Sequence, residues 1–212
     1  MAVIIDGTAG ITLPSGAIGN TTGAVVGTTD TQTLTNKTLT SPTISGAVVS
    51  SMNSSVITSN TAVASTSGTS IDFTSIPSWV KRITVMFNGI SKSSTANFRV
   101  RLGTGGSPTT TGYTTAANIV TTAASACVSS AAGFDTTGDA IATATVSGNL
   151  VFVNLSGNIW TCSSVLHTPT PTVGNIFIAG IVTLSGTLDM VRITTTSGTD
   201  TFDAGSINIL YE

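Results

Sequence analysis

The residues with the means to do chemistry are few and scattered. The one histidine, His167, stands in the run LHTPTP (166–171). A histidine serves as general base only beside a nucleophile and a third group that orients it, and the flanking residues offer no such pattern. Gly103-Thr104-Gly105-Gly106 has the glycines of a phosphate loop, but neither Gly-Lys-Ser/Thr nor a helix start follows, so it reads as a Gly/Thr loop. Asp135 and Asp139, in FDTTGDA, carry two carboxylates of the kind that hold a hard cation. Their spacing matches no calcium loop, and no metal is expected there. Asp135, Asp139, Asp189, Asp200 and Asp203 are the carboxylates available for a glycosidase pair, which needs two of them at a fixed separation across a cleft. All five are read as turn residues, and nothing favours a pair.

Aromatic side chains offer another kind of contact. Trp79 (in SIPSWVKRI) and Trp160 have the flat face that stacks on a sugar. Pro77 just upstream marks Trp79 as fixed at a strand entry, capping a core. Tyr113, in the loop-like run TTTGYTT (109–115), is the better candidate for an exposed contact with a host surface. The sequons at Asn20, Asn36, Asn53 and Asn154 are those expected by chance in a chain so rich in Ser and Thr. No catalytic residue, cofactor or metal is assigned, and no enzyme is expected.

Strands must position these residues. Lys81–Ile90 alternates, with Ile83, Val85 and Phe87 on one face and Arg82, Thr84, Met86 and Asn88 on the other. Asn97–Leu102 sends Phe98, Val100 and Leu102 inward and Arg99 and Arg101 outward, the period of a half-buried antiparallel strand. Leu150–Leu155, Ile159–His167, Asn175–Leu184, Leu188–Thr194 and Ser206–Tyr211 are further strands. Turns are expected at Ser147-Gly148-Asn149 and Ser156-Gly157-Asn158. The spacing predicts an antiparallel β-sandwich or jelly-roll-like domain over 71–212. Ala116–Ala132 is the one stretch with helical composition, but Thr, Val, Cys and Ser interrupt it and it has no charges for a solvent face.

Residues 1–70 have different physics. The seven Phe, two Trp and two Tyr all lie at or beyond Phe73, and within residues 1–70 only Asp6, Asp30 and Lys37 are charged. Without large side chains this segment cannot offset its own chain entropy. Short clusters such as Val3-Ile4-Ile5 and Val48-Val49, among Thr, Gly and Pro, favour extended backbone. Residues 1–70 therefore read as an extended attachment and trimerisation arm whose strands find partners on other chains.

Composition bounds the surroundings. Charged residues are 8% of the 212, against roughly 25% in an average soluble domain, while mean hydropathy is +0.41. So few charges leave either a membrane or burial against copies of itself. The most apolar run, Ile176–Leu184, is nine residues long, far below the ~20 of a spanning helix; the beginning also lacks the basic flank of a secretory signal. Burial in a homo-oligomer is the expectation. A net charge of −2 leaves no basic surface for nucleic acid. Cys127 and Cys162 match no zinc spacing and are expected to be small apolar fillers, both reduced.

Two stretches resemble proteins of bacteriophage and prophage particles. DTQTLTNKTLTSPTISG (Asp30–Gly46) is similar to a motif of tail-fibre and other appendage proteins. GTSIDFTSIPSWVKRITVMFNGIS (Gly68–Ser91), with DMVRITTTSGTDTFDAGSINILYE (Asp189–Glu212), resembles the C-terminal domain of phage tail and fibre proteins. The resemblance implies a virion location, with assembly in the host cytoplasm, and a homotrimeric habit. It supplies no catalytic residue. On this reading the chain is a structural protein, a short tail fibre or appendage anchored to other particle proteins by residues 1–70. Its C-terminal loops, including roughly 104–148, then face a host cell-surface glycan or protein. The alternative is a head or neck fibre, or a capsid decoration protein, with no host-binding role. A polysaccharide depolymerase would need a longer chain with clustered acids.

Overall fold

The computed structural model describes residues 4–6, 10–12, 57–169 and 173–212. The chain divides into two compact units, Met1–Ser51 and Met52–Glu212. In the first, β1 (Ile4–Asp6) and β2 (Gly10–Thr12) pair antiparallel with Ile5 opposite Ile11. The Asp30–Gly46 motif, the Asn20, Asn36 and Asn53 sequons and most of the expected arm lie outside the described residues.

The second unit is an antiparallel β-sandwich, and no helix occurs among the described residues. Its strands are β3 (Thr58–Ser59), β4 (Val63–Ala64), β5 (Ser70–Phe73), β6 (Arg82–Lys92), β7 (Phe98–Thr104), β8 (Ser107–Pro108) and β9 (Tyr113–Thr121). There follow β10 (Ser125–Ser130), β11 (Phe134–Asp135), β12 (Val146–Ser156), β13 (Ile159–Thr168), β14 (Gly174–Thr183), β15 (Met190–Thr195) and β16 (Phe202–Tyr211). One nine-stranded sheet runs β10-β9-β14-β13-β12-β6-β16-β3, with β4 also on β16; a five-stranded sheet runs β11-β7-β15-β5, with β8 on β7.

The alternation in the sequence builds the core between the sheets. Ile83, Val85 and Phe87 of β6, Leu150 and Phe152 of β12, and Ile176 and Ile178 of β14 are buried. They share one cluster with Phe98, Val100 and Leu102 of β7 and Val191 and Ile193 of β15. Aromatic rings bridge the layers: Phe134 meets Phe152 edge-on at 5.1 Å, and Phe87 lies 6.3 Å from Phe98. Each such side chain removed from water contributes roughly 1.5–3 kcal/mol, which is how a chain with few charges holds a stable fold.

Two sequence expectations change here. Ser147-Gly148-Asn149 is not a turn but lies inside β12, where the register with β6 shifts between Val146 and Gly148. Gly148 sits at φ 128°, and a Cβ there would come 2.6 Å from the Val165 carbonyl, so the glycine permits a bulge. Gly103–Gly106 is a hairpin rather than an open loop: Thr104 pairs with Ser107, and Gly105 and Gly106 have φ of 63° and 70°, the left-handed pair that a tight two-residue turn needs. Ala116–Ala132, where a helix was already disfavoured, contributes most of β9 and all of β10.

The sandwich also takes in residues assigned to the arm. β3 and β4 pair with β16, and the buried Ser65 donates its hydroxyl to the Ala204 carbonyl at 2.7 Å.

Candidate assembly interface

The two outer faces of the sandwich differ in charge. Period-two alternation brings every second residue of the nine-stranded sheet outward, and the register aligns these residues in rows. One row is Met86, Asn149, Val165, Phe177, Asn118 and Cys127. The next includes Thr84, Val151, Ser163, Ala179, Ala116 and Ser129. Among the described residues from β6 to β10, the only charge on this face is Arg82, at its end, where its Nη1 lies 3.0 Å from Glu212 Oε1. Val165 is 59% exposed and Phe177 42%, and Val120, Val153 and Ile181 are exposed as well. A solvated outer face of an antiparallel sheet normally alternates to polar and charged side chains. Apolar side chains such as Val165 beside Phe177, set among Asn, Ser and Thr with no charge, share the charge depletion of an interface centre.

At one end of the sheet, β10 pairs with β9 alone among the described residues, and Ser125–Ser129 are exposed on both sides. Val128 points toward the sandwich interior side yet is 42% exposed, so the five-stranded sheet does not reach beneath it. An unpaired edge beside an apolar face is a surface that another chain can extend.

The residues singled out from sequence are placed elsewhere. Tyr113 is not an exposed contact: it is 3% exposed and packs edge-on against Phe134 at 5.2 Å. Its hydroxyl accepts from the Leu102 N–H at 3.1 Å and lies 3.0 Å from the Thr109 carbonyl, to which it donates. Desolvation pushes this phenol up to about 12. What read as a loop is the start of β9, and the ring fills the core there. Trp160 is buried, whereas Trp79 is 52% exposed, tilted against Tyr211 with centroids 5.9 Å apart. Trp79 is thus a surface residue and not a core cap.

His167 is exposed on β13, opposite Ser147 and Asn175. The Ser147 hydroxyl accepts from the Gly89 N–H at 2.8 Å, and no carboxylate contacts the imidazole among the described residues. The carboxylates are dispersed into structural bonds. Asp135 takes a two-pronged pair from Arg99 at 2.6 and 2.7 Å, and Asp139 is buried against Lys92. Asp189 accepts from the Gly106 N–H, Asp200 from the Ala96 N–H, and Asp203 from Ser91. Asp135 and Asp203 lie within β11 and β16, not in turns. Among the described residues no three His, Cys, Asp or Glu side chains gather as a metal would require.

Cys162 is a buried filler, and burial raises its thiol pKa; Cys127 is exposed on the uncharged face, which makes it no filler. Both thiols are free. The uncharged face itself was missed from sequence, although the signal is there: the outward positions of β9, β13 and β14 carry Val, Phe, Ile and Ala among Ser, Thr and Asn, with no Lys, Arg, Asp or Glu. No protein-family model, no curated protein and no solved structure matches the chain.

Proposed function

We propose that the chain is a structural, non-enzymatic component of a bacteriophage particle, a short tail fibre or similar appendage that works as a homotrimer. The observation that carries this reading is the uncharged outer face of the nine-stranded sheet, with the exposed apolar Val165 and Phe177 side by side at its centre. Three copies set round an axis would turn these faces toward one another and remove them from water. Residues 1–70 would join the trimer to other particle proteins, as the phage-like motif at 30–46 suggests. Loops of the sandwich would meet the host surface, where three weak contacts add through avidity.

Electron microscopy of particles decorated with an antibody to this chain tests the placement. The expected result is label on the tail or its appendages. Label on the head or neck would favour a decoration protein, and its absence from purified particles would overturn the proposal.

A further inference from the structure

The charge missing from the large sheet is concentrated on the outer face of the five-stranded one. Two rows cross that face: Asp72, Arg192 and Arg101, then Ser70, Thr194, Arg99 and Asp135. Each edge carboxylate engages one guanidinium through two hydrogen bonds. Arg192 reaches Asp72 at 2.7 and 2.6 Å, and Arg99 reaches Asp135 at 2.6 and 2.7 Å. Arg101 has no such carboxylate. Its Nε donates to the Ala132 carbonyl at 2.8 Å, and its two terminal nitrogens have no acceptor among the described residues. In the register Arg101 stands directly opposite Arg192, with Arg99 two residues away on the same face. Like charges opposite each other destabilise a sheet, so three arginines against two carboxylates leave a local excess of positive charge.

A cavity of about 280 Å³ opens above this excess, lined by the three arginines and by residues such as Ser70, Thr194 and Ser197. Among the described residues no aromatic or large apolar side chain lines it, so it lacks the stacking surface on which a neutral sugar ring would rest. Guanidinium forks and hydroxyls instead match an oxyanion. Burial and the neighbouring Arg99 charge lower the Arg101 pKa, yet a guanidinium stays charged in any ordinary solution. Three arginines are too few for the extended positive track of a nucleic-acid binder.

We propose that this cavity is a binding site for an oxyanion, a carboxylate, phosphate or sulfate carried on a hydroxyl-rich ligand such as an acidic saccharide, with Arg101 as its principal donor. The site is independent of the particle reading: a chain with no place in a virion would still bind the anion, and a trimeric appendage without it would still assemble.

The test is titration of the full chain, followed by amide and arginine side-chain NMR, with glucuronate, phosphate and sulfate at constant ionic strength, against glucose and chloride. Saturable shifts centred on Arg101, Arg192 and Ser197 for at least one oxyanion, absent with glucose, are expected, and the tightest of the three names the ligand group. R101Q should weaken that binding about tenfold or more, the value of a lost charge-assisted hydrogen bond. R101K, which keeps the charge but loses the fork, should fall between. Should R101Q fail to fold, the wild-type shift map and R101K decide the matter. Shifts that do not saturate, shifts located elsewhere, or equal binding by the folded variants would overturn the site.

Discussion

Lys92 and Asp139 form an ion pair in which neither side chain is exposed, with Nζ 3.3 Å from Oδ2. The same ammonium donates to the Asp139 backbone carbonyl at 2.6 Å and lies 4.2 Å from the centre of the Phe98 ring. Phe98 in turn donates its N–H to Asp139 Oδ2 at 3.2 Å. The pair thus ties the end of β6 and the start of β7 to the segment after β11. Taking two charges out of water is costly, so the pair is poor evidence of net stability, but removing one partner strands the other.

Lys92→Met should therefore destabilise the sandwich by about 3–5 kcal/mol, read as a lower denaturation midpoint. The double variant K92M/D139L should recover a good part of that loss, because both charges are gone. A single variant as stable as the parent would show that the pair is not buried.

Tyr113 gives the fold a dependence on alkaline pH. Its phenol ionises near 10.0 in an unfolded chain and is pushed up to about 12 in the fold. A raised folded pKa means that the stabilisation is complete below pH 10 and is lost as pH rises, because the unfolded chain gives up the proton first. Denaturation midpoints should fall between about pH 10 and 12, and fall less in Tyr113→Phe. At neutral pH that variant should cost about 1–3 kcal/mol, since the Leu102 N–H loses its acceptor. An identical pH profile in both proteins would contradict the assignment.

Much of the sandwich was legible because its central strands alternate cleanly. β6, β7, β12, β13, β14, β15 and β16 were all expected from inward Ile, Val, Phe and Leu at every second position. β9 and β10 were not, because Ala116, Ala117 and Ala126 carry too little side chain to mark a face. Tyr113 misled for the same reason: Thr and Gly around it read as a loop, whereas long-range pairing with β14 makes it a strand. The charge asymmetry between the two outer faces depends on register across several strands, and no single segment displays it. Arg99 and Arg101 were correctly placed outward, but their carboxylates and the opposing Arg192 come from distant parts of the chain.

The boundary of the folded unit bears on truncation. Removing residues 1–51 should leave a sandwich that melts cooperatively with the midpoint of the full chain. Removing 1–70 also takes away β3, β4, the Ser65–Ala204 bond and the Thr69 carbonyl, which accepts from the Thr194 hydroxyl at 2.7 Å. That shorter fragment should melt lower by circular dichroism. Equal melting of the two fragments would show that residues 58–69 contribute nothing to the fold.

The thiols report on the uncharged face. Cys127 lies in the row of Asn118, Phe177 and Val165, whereas Cys162 is buried in the core. In the assembled protein a bulky thiol reagent should modify Cys127 slowly, and Cys162 only on unfolding. Val165→Glu, which puts a charge at the centre of the face, should speed labelling of Cys127 and leave Cys162 protected. Cys127 labelling at the same rate in both proteins would place the assembly contact elsewhere.

The mass of the native full chain in solution tests the assembly claim most directly. With a chain of 21.2 kDa, light scattering coupled to size exclusion should give three times that mass for the parent and a smaller species for Val165→Glu. A parent that remains monomeric at micromolar concentration would contradict the account, because Val165, Phe177 and their uncharged neighbours would then face water with nothing to cover them.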